Sequence, residues 1–283
     1  MKTKLFLFFA IAYSIISNAQ LSAVDYKSKD YIQFKASKTY VVLSGNKKYD
    51  TEIKAVMADV WKVTPFSFIG VGELEVRLPE KDASFITLMT IETSNAGQSY
   101  HYLGLINGGK KKLSKYKYDD LLAYCPLNFY QNESSLSECH FRLRNMIQSM
   151  VLSMDIVQAN DIKGSSAGIV KGLREIYNSK SPKIKERTLL FCDETVGKLS
   201  EKEIAAICPF KFEICKKEKI AKAIKDKSTE YYYFQPGITL NKSMFVFDPS
   251  NGEVVYFDYN MMGLNINKGN IEDLAKAVNP KKK

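Results

Sequence analysis

Nucleophilic, redox or metal chemistry in this sequence would have to be built from five cysteines and two histidines. The cysteines are Cys125, Cys139, Cys192, Cys208 and Cys215, and the histidines are His101 and His140. A cysteine nucleophile requires a base within hydrogen-bonding reach and a third group to orient that base. Cys139 and His140 are neighbours in sequence, but adjacent positions on a helix point in different directions. Cys208 precedes Pro209, yet no C-x-x-C spacing accompanies it as a thiol–disulfide catalyst would need. Two widely separated histidines give zinc no ligand cluster, so no metal is expected. An oxidising compartment would permit disulfides. Cys125 and Cys139 flank a loop and are the first pair to test, although spacing alone cannot fix the pairing.

Carboxylates offer a second route. A glycosidase sets two of them across a cleft, roughly 5 to 9 Å apart, and Asp248 with Asp258 is a candidate pair. The turn Gly70-Val71-Gly72 follows an apolar run as a phosphate cradle would, but it lacks a third glycine. The nucleotide-binding and zinc-protease signatures G-x-G-x-x-G, G-x-x-x-x-G-K-[ST] and H-E-x-x-H are all missing. No cofactor is expected.

Aromatic residues are the stronger hint. Tyr231, Tyr232, Tyr233 and Phe234 form one run, and Tyr256, Phe257 and Tyr259 another. Alternate side chains of a strand face opposite sides. Tyr231, Tyr233, Tyr256 and Tyr259 are therefore candidate binding residues, able to form an exposed recognition surface for protein, peptide or glycan. Sheet propensity alone would favour the same residue types.

The elements that must hold these residues follow a leader. Lys2 and Lys4 precede an apolar run from Leu5 to Ile16, and Ser17, Asn18 and Ala19 supply small residues for a peptidase. That order predicts a secretory signal, residues 1–19, cleaved after Ala19. That run is 12 residues long, interrupted by Tyr13 and Ser14, and falls short of the roughly 20 that a membrane-crossing helix needs. The expected location is the periplasm or the extracellular space, with no membrane span once the signal is removed. The net charge of +10 could favour anionic partners. It is dispersed, with small clusters at Lys110 to Lys112, Lys216 to Lys219 and Lys281 to Lys283. No nucleic-acid partner is expected. Asn132 and Asn241 match the glycosylation pattern, which acts only in a host that glycosylates.

Beyond the leader, the chain repeats itself. A segment from Thr39 and a segment from Arg187 each give an apolar run, a polar turn and a helical stripe, then Pro-Phe-x-Phe at Pro65 and Pro209. Lys81-Asp82 and Lys225-Asp226 follow at equal spacing from those prolines. Val41 to Leu43 read as a strand, and Ile53, Val56, Met57, Val60 and Trp61 as one face of a helix. Phe66 with Phe68, Phe85 to Ile91 and Tyr100 to Ile106 read as further strands, with a turn at 95–97. Tyr118 to Leu122 read as a closing helix, matching Ile271 to Ala275. In the second half, Ser200 with Glu203 forms a capping box, and Asp248 to Gly252 turns a hairpin.

The fold class is therefore α/β (α+β): two similar small βαβαββα units from an internal duplication, residues 25–130 and 183–280. A helical linker, 131–182, bridges them. Its long Met-rich helix runs from near Ser135 to near Gln158, with Leu143, Met146, Ile147, Met150, Val151, Met154 and Val157 as a packing stripe. The functional expectation is an exported noncatalytic binding, assembly or envelope-associated protein, with a protein or glycan of the cell envelope as partner. The alternative is a periplasmic or secreted hydrolase with its site in the cleft between the units.

Overall fold

The structure is a computed structural model that describes residues 28–92, 99–116, 120–127, 140–162, 166–196, 199–238, 242–260 and 266–280. The leader, the 95–97 turn, Cys139, Asn132, Asn241 and the Lys281 to Lys283 tail lie outside the described residues.

The chain folds into two five-stranded mixed sheets. The first half contains α1 (Ser28–Lys35), β1 (Lys38–Leu43), α2 (Lys47–Val60), β2 (Phe66–Gly70), α3 (Val71–Arg77), β3 (Ala83–Glu92), β4 (Ser99–Asn107) and β5 (Leu121–Pro126). Two helices follow, α4 (Leu143–Ala159) and α5 (Ser166–Ser179). The second half contains β6 (Thr188–Cys192), α6 (Glu201–Ala205), β7 (Phe212–Cys215), α7 (Lys217–Lys225), β8 (Tyr231–Ile238), β9 (Lys242–Phe247), β10 (Val254–Asn260) and α8 (Lys268–Val278). The sheet orders β2-β1-β3-β4-β5 and β7-β6-β8-β9-β10 are the same plan. In each, the first three strands are parallel and the last two antiparallel. The duplication read from the sequence thus has a counterpart in architecture.

Its residue correspondence differs from the sequence repeat. Thr39 N donates to Pro65 O (2.8 Å) where Leu189 N donates to Lys211 O (3.0 Å). Extended Gly70 caps α3 as extended Lys216 caps α7. Phe66 therefore matches Phe212, and Pro65 matches Lys211 rather than Pro209. Likewise Lys38 N bonds Asp82 O and Thr188 N bonds Glu230 O, so Asp226 is not the partner of Asp82. Equal spacing in sequence concealed an offset of two residues at the start of β7, from Pro209 to Lys211, and of four at the start of β8, from Asp226 to Glu230.

A second correction concerns the end of the first unit. Leu121 and Leu122 belong to β5 and not to a helix, so the described part of that unit closes βββ after its two helices. All six residues of LLAYCP are buried. A strand covered on both faces reads as a continuous apolar run without alternation, which also fits a short helix face. Pro126 ends β5 at the sheet edge, where a missing N–H is tolerated.

The long helix α4 joins the two sheets. Met146, Ile147, Met150, Met154 and Val157 are all at most 3% exposed, so the methionine stripe is core. On the first sheet, Val41, Ile86, Leu105 and Ala123 lie in register on one face. Cys125 continues that face, and its Sγ meets Met150 Sδ at 3.4 Å. On the second sheet, Leu190, Tyr233, Phe245, Phe247 and Phe257 share this core. Tyr233 Oη donates to Asn145 Oδ1 of α4 at 3.1 Å. The opposite face, with Phe191, Phe234, Val246 and Tyr256, makes a smaller core under Ile204 of α6 and Ile271 and Leu274 of α8.

Local chemistry fixes the ends of these elements. Asn46 caps α2 by accepting from Lys48 N and Tyr49 N. Ser200 and Glu203 make the expected capping box at α6. Trp61 closes α2, with Nε1 donating to Thr64 Oγ1 at 3.0 Å. Thr64 continues to Thr39, Ser84 and Ser37 through a buried hydroxyl chain with spacings of 2.5 to 2.8 Å. The edge strand β10 is covered: Asn178 Oδ1 of α5 accepts from Phe257 N, and Ser181 Oγ donates to Val255 O. Such covering leaves that edge unavailable for pairing with another chain.

Candidate functional site

A concavity lies where α2, the turn 140–142 with the start of α4, and α7 converge. It encloses about 560 Å³ and draws on both halves of the chain. Helix α2 contributes Glu52, Ala55, Val56 and Asp59, and α7 contributes Ala221, Lys222, Ile224, Lys225 and Asp226. His140, Phe141 and Arg144 close the third side. These positions follow from amphipathicity. Ile53, Val56 and Met57 bury one face of α2, and Ile220, Ala223 and Ile224 one face of α7. The flanking polar faces then form the rim.

Two carboxylates of that rim, Asp59 and Asp226, are matched by cations. Asp59 Oδ2 accepts from Arg144 of α4, and Lys227 Nζ lies 3.1 Å from the same oxygen and 3.3 Å from Oδ1. Hydrogen bonds from Arg144 and then Lys227 hold the Asp59 carboxyl below its ordinary range. Lys222 pairs with Asp226 one turn later. Apolar Val56, Ile224 and Phe141 underlie these pairs. The cleft therefore offers an apolar floor with a fixed pattern of both charges, which suits recognition of a surface bearing both.

The tyrosines chosen from the sequence are dispersed. Tyr233 is fully buried and Tyr256 only 2% exposed, so neither offers a ring to a partner. They also face opposite ways, because Tyr233 belongs to the core around α4 and Tyr256 to the core under α8. Tyr231 and Tyr259 share the Tyr233 face and are half-buried. Tyr231 starts β8, while Tyr259 pairs with Ser243 beside Gly237. Six strand residues separate those sites, about 20 Å. Lys219 Nζ sits 5.1 Å over the Tyr231 ring, and Tyr259 stacks on Phe257. The expected four-tyrosine surface does not form, since alternation and register divide it.

Other sequence candidates are also separated or engaged. Asp248 accepts from Arg187 Nη1 at 2.8 Å and from Ser250 N at 2.9 Å. Asp258 pairs with Met244, four residues before Asp248 in the chain, which sets the two backbone positions about 14 Å apart. That exceeds the glycosidase span. Arg174 Nη2 approaches Asp258 Oδ1 at 2.5 Å. Burial raises the Asp258 carboxyl, only partly opposed by that guanidinium. Gly70 N is occupied by Glu73 Oε1, so the glycine turn holds its own carboxylate.

The described thiols are poor nucleophiles. Cys125, Cys192, Cys208 and Cys215 are buried and unlinked. Burial pushes the thiols of Cys208 and Cys215 up to about 12 and that of Cys125 higher still. Among the described residues, no group of three His, Cys, Asp or Glu side chains could hold a metal ion. No helix among them is long and apolar enough to cross a membrane. The basic cluster at α7 is matched: Lys216 pairs with Asp193, Lys217 with Glu194 and Lys219 with Glu213.

Sequence reasoning did not bring the cleft residues together: Val56 reads as core, His140 only as the neighbour of Cys139, and the charged positions as solvated helix, and nothing in the primary pattern says that α2 and α7 face each other. In comparisons with known proteins, the chain matches no family model, no curated protein and no solved structure.

Proposed function

We infer that this chain is an exported, noncatalytic binding protein of a cell envelope, and that its cleft between α2 and α7 recognises a protein or glycan. The observation that carries the reading is the composition of that cleft: apolar floor, charged rim and walls drawn from both halves. Export rests on the leader, whose short apolar run precedes small residues at a peptidase site. Catalysis has less support. An acid or base must exchange protons near the working pH, and Asp59 is held ionised by two cations. The four described thiols are buried away from the cleft.

The test is capture from the envelope fraction of the native host, with the full chain as bait. Ala221→Trp places a large ring in the cleft, at a half-buried position outside the core. Wild-type bait should recover a stable envelope partner, and the variant should lose at least about tenfold of it, a difference of 1.4 kcal/mol. Equal recovery by both baits would remove the cleft from the account. A solitary protein that turns over an envelope polymer would replace binding with hydrolysis.

A further inference from the structure

We propose that Cys192 and Cys215 form a disulfide that ties the edge strand β7 to β6. The two residues are direct partners in the parallel ladder, each at the last position of its strand. Adjacent strands lie about 4.8 Å apart, inside the roughly 4.4 to 6.8 Å Cα range of natural disulfides. Registered residues of a parallel pair point to the same face, and both of these thiols lie in the core around α4. Neither of the other two described cysteines has such a partner. Cys125 packs on Met150, and Cys208 belongs to the separate core under α8. Cys208 and Cys215, close in sequence, are thereby kept on different faces.

Two features make the bond formable. Strand β7 has only four residues and lies at the sheet edge, so its end can adjust the sulfur geometry. Cys215 is 9% exposed and Cys192 is fully buried, so Cys215 is reached first by an oxidant. The oxidant required is a low-molecular-weight disulfide, such as oxidised glutathione. The Cys215 thiolate attacks one of its sulfurs, giving a mixed disulfide and releasing one glutathione thiolate. The Cys192 thiolate then attacks the Cys215 sulfur and releases the second. Two protein protons end on the two glutathione thiols, and the protein loses two electrons.

Burial sets the timing. In the folded chain the Cys215 thiol is pushed up to about 12, first by desolvation and then by the neighbouring Cys192. Little thiolate is present near neutrality, so exchange in the finished fold is slow. The bond forms during folding, before the sheet closes over Cys192. Once made, it fixes the strand from which α7 and one wall of the cleft begin.

The test is refolding of the full chain from denaturant in a glutathione redox buffer, followed by alkylation and peptide mapping. The expected product has a mass lower by about 2 Da, free thiols reduced from five to three, and a linked peptide pair containing residues 192 and 215. Cys215→Ser, refolded in parallel, should retain four free thiols and give no link to residue 192. Free Cys192 and Cys215 in a correctly refolded wild-type chain would overturn the proposal, and so would a link from either residue to another cysteine. Because the oxidant is supplied in the buffer, the result is independent of export.

Discussion

Gly252→Ala is expected to lower the stability of the fold by about 3 kcal/mol, combining backbone strain with overpacking. Gly252 has φ of +74°, where a side chain clashes with its own backbone. It also sits against α4: an added Cβ would lie 2.7 Å from Gln148 Cβ and 2.8 Å from Asn145 O. The second obstacle is backbone and cannot swing aside. The β9–β10 turn would have to lift from the helix that joins the sheets, straining the Asn145 Nδ2 bond to Pro249 O (3.3 Å). Gly45→Ala is the internal control. Gly45 has φ of +83° but no atom within 4 Å of an added Cβ, so it should cost only about 1 kcal/mol. Urea midpoints measured by far-UV circular dichroism compare the two. Equal losses would show that the contact with α4 contributes nothing.

Trp61→Ala should be as damaging, at about 4 kcal/mol, or roughly 10 °C in Tm. Trp61 is 2% exposed, meets Phe34 edge-on at 6.0 Å and ends the helix that forms one wall of the cleft. Truncation removes the ring and leaves a cavity between α1 and α2. It also removes the donor that closes the hydroxyl chain through Thr64, Thr39, Ser84 and Ser37. Trp61→Phe separates these effects. Most of the ring is kept while the Nε1 bond to Thr64 is lost, so the cost should fall to about 1 kcal/mol. Thermal unfolding followed by circular dichroism serves for both, since Trp61 is the sole tryptophan. Similar losses for Ala and Phe would assign the effect to the hydrogen bond rather than to packing.

Elements with strong local signals were legible. The α2 stripe, the strand pair β3–β4, the Asp248–Gly252 hairpin and the Ser200 capping box follow from periodicity and turn chemistry. Burial of the α4 methionines follows from their helical spacing. Errors arose where local pattern admits two solutions. LLAYCP satisfies a helix face and a doubly covered strand equally well, and only its pairing with β4 decides. The Pro-Phe-x-Phe repeat is real as a string, yet ladder register assigns Pro65 to Lys211. Tyr256 could not be separated from Tyr259 by type; a strand's parity shows that they diverge but not which one is covered. The cleft was least legible. Ala55 and Ala221 are far apart in the chain, and they line one cleft only because α4 brings both sheets to one core.

The site-specific form of the functional claim is that a partner contacts the protein at this cleft. A photoreactive side chain in place of Ala55, activated in the envelope of the native host, reports such contact directly. A second chain carrying it in place of Val76, 77% exposed on α3 and outside the cleft, measures incidental capture. The account predicts a discrete adduct from position 55 and none from position 76. An adduct from position 76 with none from 55, or silence at both, would contradict it.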